Sequence, residues 1–384
     1  MYQKAVLHLD LDCFFVECER LHNTKLKDKP VIVGGNSRRG VVASCSYEAR
    51  LFGIRSGMPM YIALQRCPDA IVIKGDFEDY ASQSSIVREI IVEQSPLVEV
   101  ASIDEFYVDM SGMDRYVGCE LWSKELRQRI IKETGLPISA GLSINKTVSK
   151  ITTTEAKPNN FHAVQTGLEK AYIAPLSTAK IPSIGTETYQ RLSVRGVRNI
   201  GKLSTIPPKL LIRSFGKHGL SMWKKANAID DAPVIPFHQQ KSISMQRTFQ
   251  QDSIDIAGMK GKLTRMVMDK AFELRNKQKL TSCIEISIRY NDFKTYTKQQ
   301  KIPYTAHDQS LIKYAHQLFD KLYNRRVSVR RLGVKFSGLV YGCPQIQLFE
   351  DTQSEIALLQ SMDKIRQRFG QSVIGRATTL KKKH

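Results

Sequence analysis

Two features that mark other protein classes are missing from this sequence. Its seven cysteines never form a Cys-x-x-Cys pair and are odd in number, which argues against both a structural zinc site and a disulfide framework. No run of eighteen apolar residues occurs, and acidic residues follow soon after the amino terminus. We therefore expect neither a transmembrane helix nor a signal peptide, and the cytosol fits best.

Acidic residues are scarce relative to basic ones. The 384 residues include 37 Asp or Glu against 58 Lys or Arg, a formal net charge of +21. Between Lys241 and Val340 there are 20 Lys or Arg but only 8 Asp or Glu, so this quarter of the chain carries more than half of the excess. Total charge alone does not decide whether the partner is nucleic acid or a membrane surface, or whether there is no partner. A concentrated basic domain, however, is what binding along a phosphate backbone requires.

Apolar runs and turn residues predict an α+β fold in the first part of the chain. The strand Ala5–Leu9 ends in acidic residues, and an insertion of roughly residues 18–75 follows it. The next elements are a helix from Asp76 to about Glu93, strands Val98–Ser102 and Phe106–Asp109, helix Glu120–Glu133, strand Ile138–Ser143 and helix Lys146–Ala156. This β-α-β-β-α-β order is the ferredoxin-like arrangement.

The remainder of the chain divides into a helical and a mixed part. Residues 166–237 are helical and contain two turn motifs, IPSIG at Ile181–Gly185 and SVRGVRNIG at Ser193–Gly201. Pro233 and Pro236 indicate a linker, after which strands alternate with helices over residues 241–341. The carboxyl-terminal region is predicted to form an amphipathic helix, with one apolar face made of Ile356, Leu359, Met362, Ile365 and Phe369.

Four acidic residues lie at strand ends that this topology makes neighbours. Asp10 and Asp12 close the first strand, while Asp104 and Glu105 lie between two others. Taken singly, such acids are more often ordinary turn residues. Gathered together they would repel one another unless a cation neutralised them, and Mg²⁺ prefers hard oxygen ligands of this kind. Two such ions would suit an in-line phosphoryl displacement.

Three motifs around these acids resemble those of Y-family DNA polymerases. They are HLDLDCFF at His8–Phe15, ASCSYEARLFGIRSGMPM at Ala43–Met60 and SIDEFYVD at Ser102–Asp109. The resemblance covers essentially the whole chain and is closest to the DNA polymerase IV branch. It implies a multi-domain right-hand polymerase with a ferredoxin-like palm (1–17 and 76–165), small fingers (18–75), a helical thumb with a helix-hairpin-helix (166–237), an α/β little finger (241–341) and a tail (342–384).

The resemblance also implies an activity and its catalytic residues. The family performs DNA-dependent, low-fidelity translesion synthesis without proofreading, transferring a nucleotide from dNTP to a primer 3′-OH with two Mg²⁺ ions. Asp10 and Asp104 match its metal ligands and Glu105 its catalytic carboxylate, which also binds metal, while Leu11 matches the residue that offers a backbone carbonyl. Asp12 matches the pattern too but is less clearly a ligand.

Further residues match the family's nucleotide contacts. Phe15 corresponds to the steric gate that excludes a 2′-hydroxyl by bulk, whereas we interpret Phe14 as core packing. Tyr47 and Arg50, spaced i and i+3, together with Ser44 and Lys157, match the triphosphate contacts. Lys146 and Lys150 are interpreted as structural or DNA-facing. The chain departs from the family pattern at Thr152–Thr154, at Asn160 and at Ser183. The first two departures leave the backbone conformation after Lys157 undetermined.

Other predictions concern macromolecular partners. Gly185 lies in the hairpin motif, where backbone N–H groups could meet a DNA phosphate, although a plain turn between helices fits equally well. Candidate phosphate contacts in the little finger are Arg247, Arg289, Arg330, Arg331 and Lys335, each of which could also be a solvated surface residue. Gln345, Leu348 and Phe349 belong to a peptide that resembles a sliding-clamp motif, the alternative being packing on the preceding domain. We expect a monomer.

Three rival functions follow from the same residues. A catalytically silent DNA-binding scaffold would not need all three acids intact. A nucleotide cyclase on the same palm would have no use for the basic carboxyl-terminal domain. The catalytic subunit of DNA polymerase V, which needs partner subunits, is nearer, but SYEAR and RSGMP fit the polymerase IV branch better.

Overall fold

The computed structural model describes residues 2–35, 37, 39–95, 97–237, 239–342, 352–370 and 373–376. The chain forms two compact units, Met1–His238 and Gln239–His384. None of the described helices has the length and apolarity needed to cross a membrane.

The first unit contains eight strands and eleven α-helices among its described residues. The strands are β1 (Val6–Leu11), β2 (Val31–Gly34), β3 (Val42–Cys45), β4 (Ile71–Ile73), β5 (Val98–Val100), β6 (Glu105–Asp109), β7 (Ile138–Ser143) and β8 (Phe161–Ala163). The helices are α1 (Phe14–His22), α2 (Tyr47–Leu51), α3 (Met60–Arg66), α4 (Phe77–Gln94), α5 (Cys119–Thr134), α6 (Lys146–Ala156), α7 (Glu169–Ile173), α8 (Thr186–Val194), α9 (Ile200–Ser204), α10 (Pro208–Phe215) and α11 (Lys217–Ala226).

A five-stranded sheet in the order β5-β6-β1-β7-β8 forms the centre of this unit. Strand β1 pairs antiparallel with both β6 and β7, which is the ferredoxin-like arrangement that the sequence predicts. Helix α6 packs closely on β7 at Gly141, where an added Cβ would lie 2.4 Å from the carbonyl oxygen of Ser149. The absence of a side chain at Gly141 therefore sets how near α6, which carries Lys150 and is followed directly by Lys157, comes to β1 and β7.

Smaller structures flank the central sheet. Within residues 18–75, the sheet β3-β2-β4 and helices α2 and α3 enclose their own small core, which includes Ile32, Val42 and Ile54. Helices α7 to α11 surround a third core, which includes Ile173, Ile200 and Leu203. Predicted and observed element ends mostly differ by one or two residues, and α6 matches its predicted bounds because the Asn145 side chain caps it by accepting from the Val148 N–H at 3.0 Å.

The second unit is a four-stranded antiparallel sheet covered by helices. Its elements are β9 (Ser242–Ser253), α12 (Ile256–Asn276), β10 (Lys279–Tyr290), β11 (Thr295–Thr305), α13 (Asp308–Leu322), β12 (Val329–Tyr341) and α14 (Thr352–Phe369), and the strand order is β11-β10-β12-β9. Helices α12 and α13 pack on the sheet around a core that includes Leu263, Ile286 and Phe319. Mixed helices and sheets in both units confirm the predicted α+β class.

The predicted apolar face of α14 is half-buried at Ile356, Leu359 and Met362, but not at the carboxyl end of the helix. Ile365 and Phe369 are 40% and 60% exposed, whereas Asp363 is buried. Asp363 accepts two hydrogen bonds from Arg275 of α12, at 2.6 and 2.9 Å, and this charged pair anchors the helix in addition to its half-buried apolar residues.

Candidate active site

Strand pairing brings the acids of the candidate site together. Asp10 lies directly opposite Glu105 in the antiparallel register of β1 and β6. One residue further on, the Leu11 N–H donates to the Asp104 carbonyl at 3.0 Å. The strand end and the distant acidic pair therefore converge as the sequence predicts, at the carboxyl end of β1.

Two lysines occupy the carboxylate oxygens of this cluster. The Lys150 ammonium donates to both oxygens of Glu105, at 2.6 and 2.5 Å, and Lys157 donates to Oδ1 of Asp10. The Ser102 hydroxyl donates to Asp104 at 2.5 Å. The contact of Lys150 with Glu105 differs from the structural or DNA-facing role that the sequence suggested. Lys150 lies in α6 and Lys157 directly after it, seven residues apart, so helical spacing could have placed both lysines on one side of the helix but could not identify their acidic partners.

The Asp10 carboxyl group loses its proton less readily than a free aspartic acid does. Burial raises the pKa of Asp10 from its ordinary 3.8 to about 6, the Lys157 ammonium works in the opposite direction, and the carboxylates of Glu105 and Asp104 raise it further. A half-buried group of carboxylates suits a hard divalent cation such as Mg²⁺. Among the described residues no three acids are already arranged as metal ligands, so an ion would have to displace the ammonium groups.

Asp12 lies beside the cluster but its oxygens are engaged elsewhere. The side chain is 1% exposed. Its Oδ1 accepts from the Tyr47 hydroxyl at 2.8 Å, and its Oδ2 accepts from the Ser139 hydroxyl at 2.6 Å and from the Asn159 N–H at 2.7 Å. In this arrangement Asp12 connects three segments of the chain.

Phe15 lies at the edge of an aromatic cluster at the start of α1. Its ring stacks on Tyr80 of α4, with centroids 4.5 Å apart and ring planes at 13°, and it is only half-buried. Tyr80 is itself buried, and its hydroxyl donates to Glu19 at 2.5 Å. The sequence did not single out Tyr80. Phe14 is buried in the core, as expected.

The candidate triphosphate contacts lie on both sides of Asp12. Tyr47 and Arg50 share the short helix α2, where the Arg50 guanidinium lies 4.8 Å from the Tyr47 ring centroid. Ser44 is buried on β3, and Lys157 follows the last residue of α6 on the other side. After Lys157, Asn160 accepts from the Phe161 N–H at 2.8 Å, so its side chain closes the turn at the position where the resemblance leads us to expect glycine.

The candidate DNA contacts do not all lie together. Arg289 and Arg331 are directly paired across β10 and β12, and the guanidinium groups of Arg289 and Arg330 lie 5.1 and 4.7 Å from the exposed Phe293 ring. Lys335 is four residues beyond Arg331 on β12, so it shares the same face. Arg247 lies opposite the buried Leu332 and near Asp269, a carboxyl group on α12, which indicates the helix-covered face instead.

The remaining predicted positions are in the hairpin motif and the tail. Gly185 is the exposed residue that precedes α8. Ser183 has a φ of 82°, a conformation that favours glycine, which agrees with glycine being the usual residue there. Gln345, Leu348 and Phe349 lie outside the described residues.

Comparisons with known proteins give a consistent assignment. The impB/mucB/samB family model matches residues 9–154, and the model of its C-terminal domain matches residues 240–348. A "DNA polymerase IV" of Dehalococcoides mccartyi is 37% identical over 98% of each chain. The "DNA polymerase IV" of Streptococcus pneumoniae serotype 4 is 33% identical over 87% of this chain and 97% of its own.

Solved structures share the fold. A "Y-family DNA polymerase chimera Dbh-Dpo4(243-245)-Dbh" is 24% identical and superposes with a TM-score of 0.78, covering 88% of this chain and all of its own. The "Crystal Structure of DinB from Sulfolobus solfataricus" is 25% identical, with a TM-score of 0.61 over the same shares.

Proposed function

Since this chain belongs to the Y family of DNA polymerases, we propose that it extends primers by a two-magnesium nucleotidyl transfer and has no proofreading activity. It is a DNA-directed DNA polymerase of translesion synthesis. The observation that carries the finer proposal is the register that sets Asp10 opposite Glu105, with Asp104 beside them.

Asp10, Asp104 and Glu105, with the backbone carbonyl of Leu11, would hold the metal ions. Two magnesium ions bound there would stabilise the attacking and leaving oxygens as the primer 3′-OH displaces pyrophosphate. The basic groups of Arg50 and Lys157, with the hydroxyls of Ser44 and Tyr47, would bind and orient the triphosphate of dNTP. Lys157 already lies against Asp10, which supports a position next to the reacting phosphates.

The choice of sugar is proposed to depend on Phe15. A half-buried ring that stacks on the buried Tyr80 cannot easily move aside, and so it can exclude a 2′-hydroxyl by bulk. Lack of proofreading is proposed from membership of the family.

We also propose that this chain has the domain organisation of the family. Residues 1–17 and 76–165 would be the palm, 18–75 the fingers, 166–237 the thumb, 241–341 the little finger and 342–384 the tail. Backbone groups near Gly185 and the cluster of Arg289, Arg330, Arg331 and Lys335 would contact DNA phosphates, whereas the position of Arg247 supports that role less. Gln345, Leu348 and Phe349 would bind a sliding clamp.

The enzyme is proposed to act as a monomer in the cytoplasm. Six cysteines are described, all with free thiols, and five of them are buried. Unpaired thiols fit a reducing compartment.

Primer extension with purified variants tests the metal assignment. We expect Asp104→Ala to give no extended product, while Glu125→Ala, which alters an exposed acid on α5, extends the primer like the wild type. Thermal melting of both variants verifies that they are folded. An Asp104→Ala enzyme that extends the primer would overturn the assignment.

A further inference from the structure

The turn that follows α6 is fixed by Asp12. This turn consists of residues 157–160, and we call it the lysine loop because it begins with Lys157. The Asn159 N–H donates to Oδ2 of Asp12 at 2.7 Å, and the same oxygen accepts from Ser139 of β7. A carboxylate that is 1% exposed and accepts several hydrogen bonds is held firmly, and so is the loop that it binds.

Arg127 of α5 fixes the lysine loop from a second direction. Its Nε donates to the Ile138 carbonyl of β7 at 2.8 Å, and its Nη2 donates to the Asn159 side chain at 2.6 Å and to the Asn159 carbonyl. One planar guanidinium therefore ties the loop to strand β7 of the central sheet. Asp12 and Arg127 together bind the N–H, the carbonyl and the side chain of a single residue, Asn159.

Asp12 also reaches the opposite side of the candidate nucleotide site. Its Oδ1 accepts from the Tyr47 hydroxyl of α2 at 2.8 Å. Burial, and next the charge of Asp12, raise the pKa of Tyr47, so this hydroxyl stays protonated and can donate. Tyr47 and the lysine loop belong to distant parts of the chain, and both donate a hydrogen bond to the Asp12 carboxylate.

We propose that Asp12 and Arg127 are positioning residues for nucleotide binding. They hold the lysine loop so that the Lys157 ammonium stays beside Asp10, where the triphosphate would bind. Lys157 has a long, flexible side chain, so its position depends on how firmly its backbone is held. This inference rests on the proposed role of Lys157 as a triphosphate contact. It assigns Asp12 a role other than metal ligation, because its carboxylate is fully buried and its three hydrogen bonds join separate segments of the chain.

Single-turnover kinetics on primer-template DNA test the proposal, since they separate the apparent Kd for dNTP from the rate of incorporation. We expect Arg127→Ala and Asp12→Asn each to weaken dNTP binding by about tenfold, the effect of losing a hydrogen bond to a charged group. Arg129→Ala is the matched control, because Arg129 lies on the same helix and pairs with the acids Glu93 and Glu133. Its dNTP affinity should equal that of the wild type.

A double variant distinguishes positioning from a separate contribution. If Arg127 acts through Lys157, then Arg127→Ala combined with Lys157→Ala should bind dNTP no more weakly than Lys157→Ala alone. Losses that multiply in the double variant would overturn the inference. Wild-type affinity in Lys157→Ala would instead overturn the proposed triphosphate contact.

Two further measurements guard against misfolding and against a hidden metal ligand. Melting temperatures are recorded for each variant, and Arg127→Lys and Asn159→Gly serve as milder changes that remove only part of the network. Both should weaken dNTP binding less than Arg127→Ala does. Wild-type dNTP affinity in Arg127→Ala, Asp12→Asn and both milder variants would contradict the proposal. Binding of Mn²⁺ alone should be unchanged in Asp12→Asn, and a clear loss would make Asp12 a metal ligand instead.

Discussion

Asp10 and Glu105 lie opposite each other on antiparallel strands, and each is bound by its own lysine, Lys157 and Lys150. The strand pairing holds two like charges close together. The ammonium groups offset part of the repulsion, but burial and the neighbouring acids still raise the pKa of Asp10 to about 6. The site is therefore strained electrostatically in a way that a divalent cation would relieve.

Asp10→Asn should stabilise the metal-free protein, and more so at higher pH. The native state binds the Asp10 proton more tightly than the unfolded chain does, since its pKa is about 6 in place of 3.8. The wild type therefore loses stability as the pH rises from about 4 to about 6, whereas Asn has no proton to lose. Melting temperatures in the presence of a chelator should diverge by a few degrees across this range.

Adding Mg²⁺ above this range should reverse the order. The ion should raise the melting temperature of the wild type, but that of Asp10→Asn much less, because one ligand charge is gone. Glu125→Gln on the surface of α5 serves as the control for loss of a carboxylate. A difference in melting temperature between wild type and Asp10→Asn that stays constant with pH in the presence of a chelator would contradict the predicted pH dependence.

Lys150→Met should increase the affinity of the free enzyme for Mn²⁺. Lys150 occupies both oxygens of Glu105 and places a positive charge beside the ligands, so its removal eliminates both a competitor and a repulsion. Titration calorimetry with Mn²⁺ and no nucleotide measures the change, which we expect to be several-fold. Lys124→Met is the control, since Lys124 pairs with the exposed Glu120 on α5. Equal or weaker binding by Lys150→Met would show that the lysine does not compete with the ion.

Phe15→Ala should allow incorporation of ribonucleotides. The ring stacks on the buried Tyr80, and its removal opens space that a 2′-hydroxyl can enter. We expect the ratio of kcat/KM for dNTP to that for rNTP to fall by more than about tenfold. Phe14→Leu alters the adjacent ring, which is buried in the core, and should leave this ratio unchanged. An unchanged ratio in Phe15→Ala would exclude this residue as the steric gate.

The sequence predicted the backbone of the site better than its side-chain contacts. Apolar runs and turn residues predicted the ferredoxin-like order of strands and helices. That order in turn predicted that Asp10 lies close to Asp104 and Glu105. The contact between Lys150 and Glu105 could not be predicted, because it depends on how closely α6 packs against the sheet at Gly141. Long basic side chains reach several partners, and only the packing selects one.

The same limit applies in the second unit. Apolar spacing predicted the half-buried positions Ile356, Leu359 and Met362 of α14, but not the charged pair between Asp363 and Arg275. The sequence suggested Arg247 as a DNA contact, which stays a prediction: the residue is exposed, but its register opposite Leu332 places it on the helix-covered side of the sheet. Pairing register and buried ion pairs are tertiary properties, which a one-dimensional pattern does not contain.

Arg275→Met should destabilise the second unit strongly. Arg275 donates to Asp363 at 2.6 and 2.9 Å and to Asp308 at 2.6 Å, and the Arg275, Asp308 and Asp363 side chains are only 14%, 3% and 11% exposed. Removing the cation takes away the nearest cationic partner of two buried carboxylates and leaves Asp363 with Arg366 at 3.8 Å. Breaking a buried pair in this way costs about 3–5 kcal/mol. Chemical denaturation followed by a probe in this unit measures the loss.

Lys260→Met provides the comparison for that loss. The Lys260 and Asp320 pair, 2.7 Å apart, joins α12 to α13 in the same unit, but its side chains are 30% and 54% exposed. Solvent screens such a pair, so breaking it should cost only about 0–1 kcal/mol. Asp363→Ala should fall between the two, because Arg275 keeps Asp308 as a partner while α14 loses its ionic anchor. If Arg275→Met costs no more than Lys260→Met, the buried cluster does not hold α14, and apolar contacts must position the helix instead.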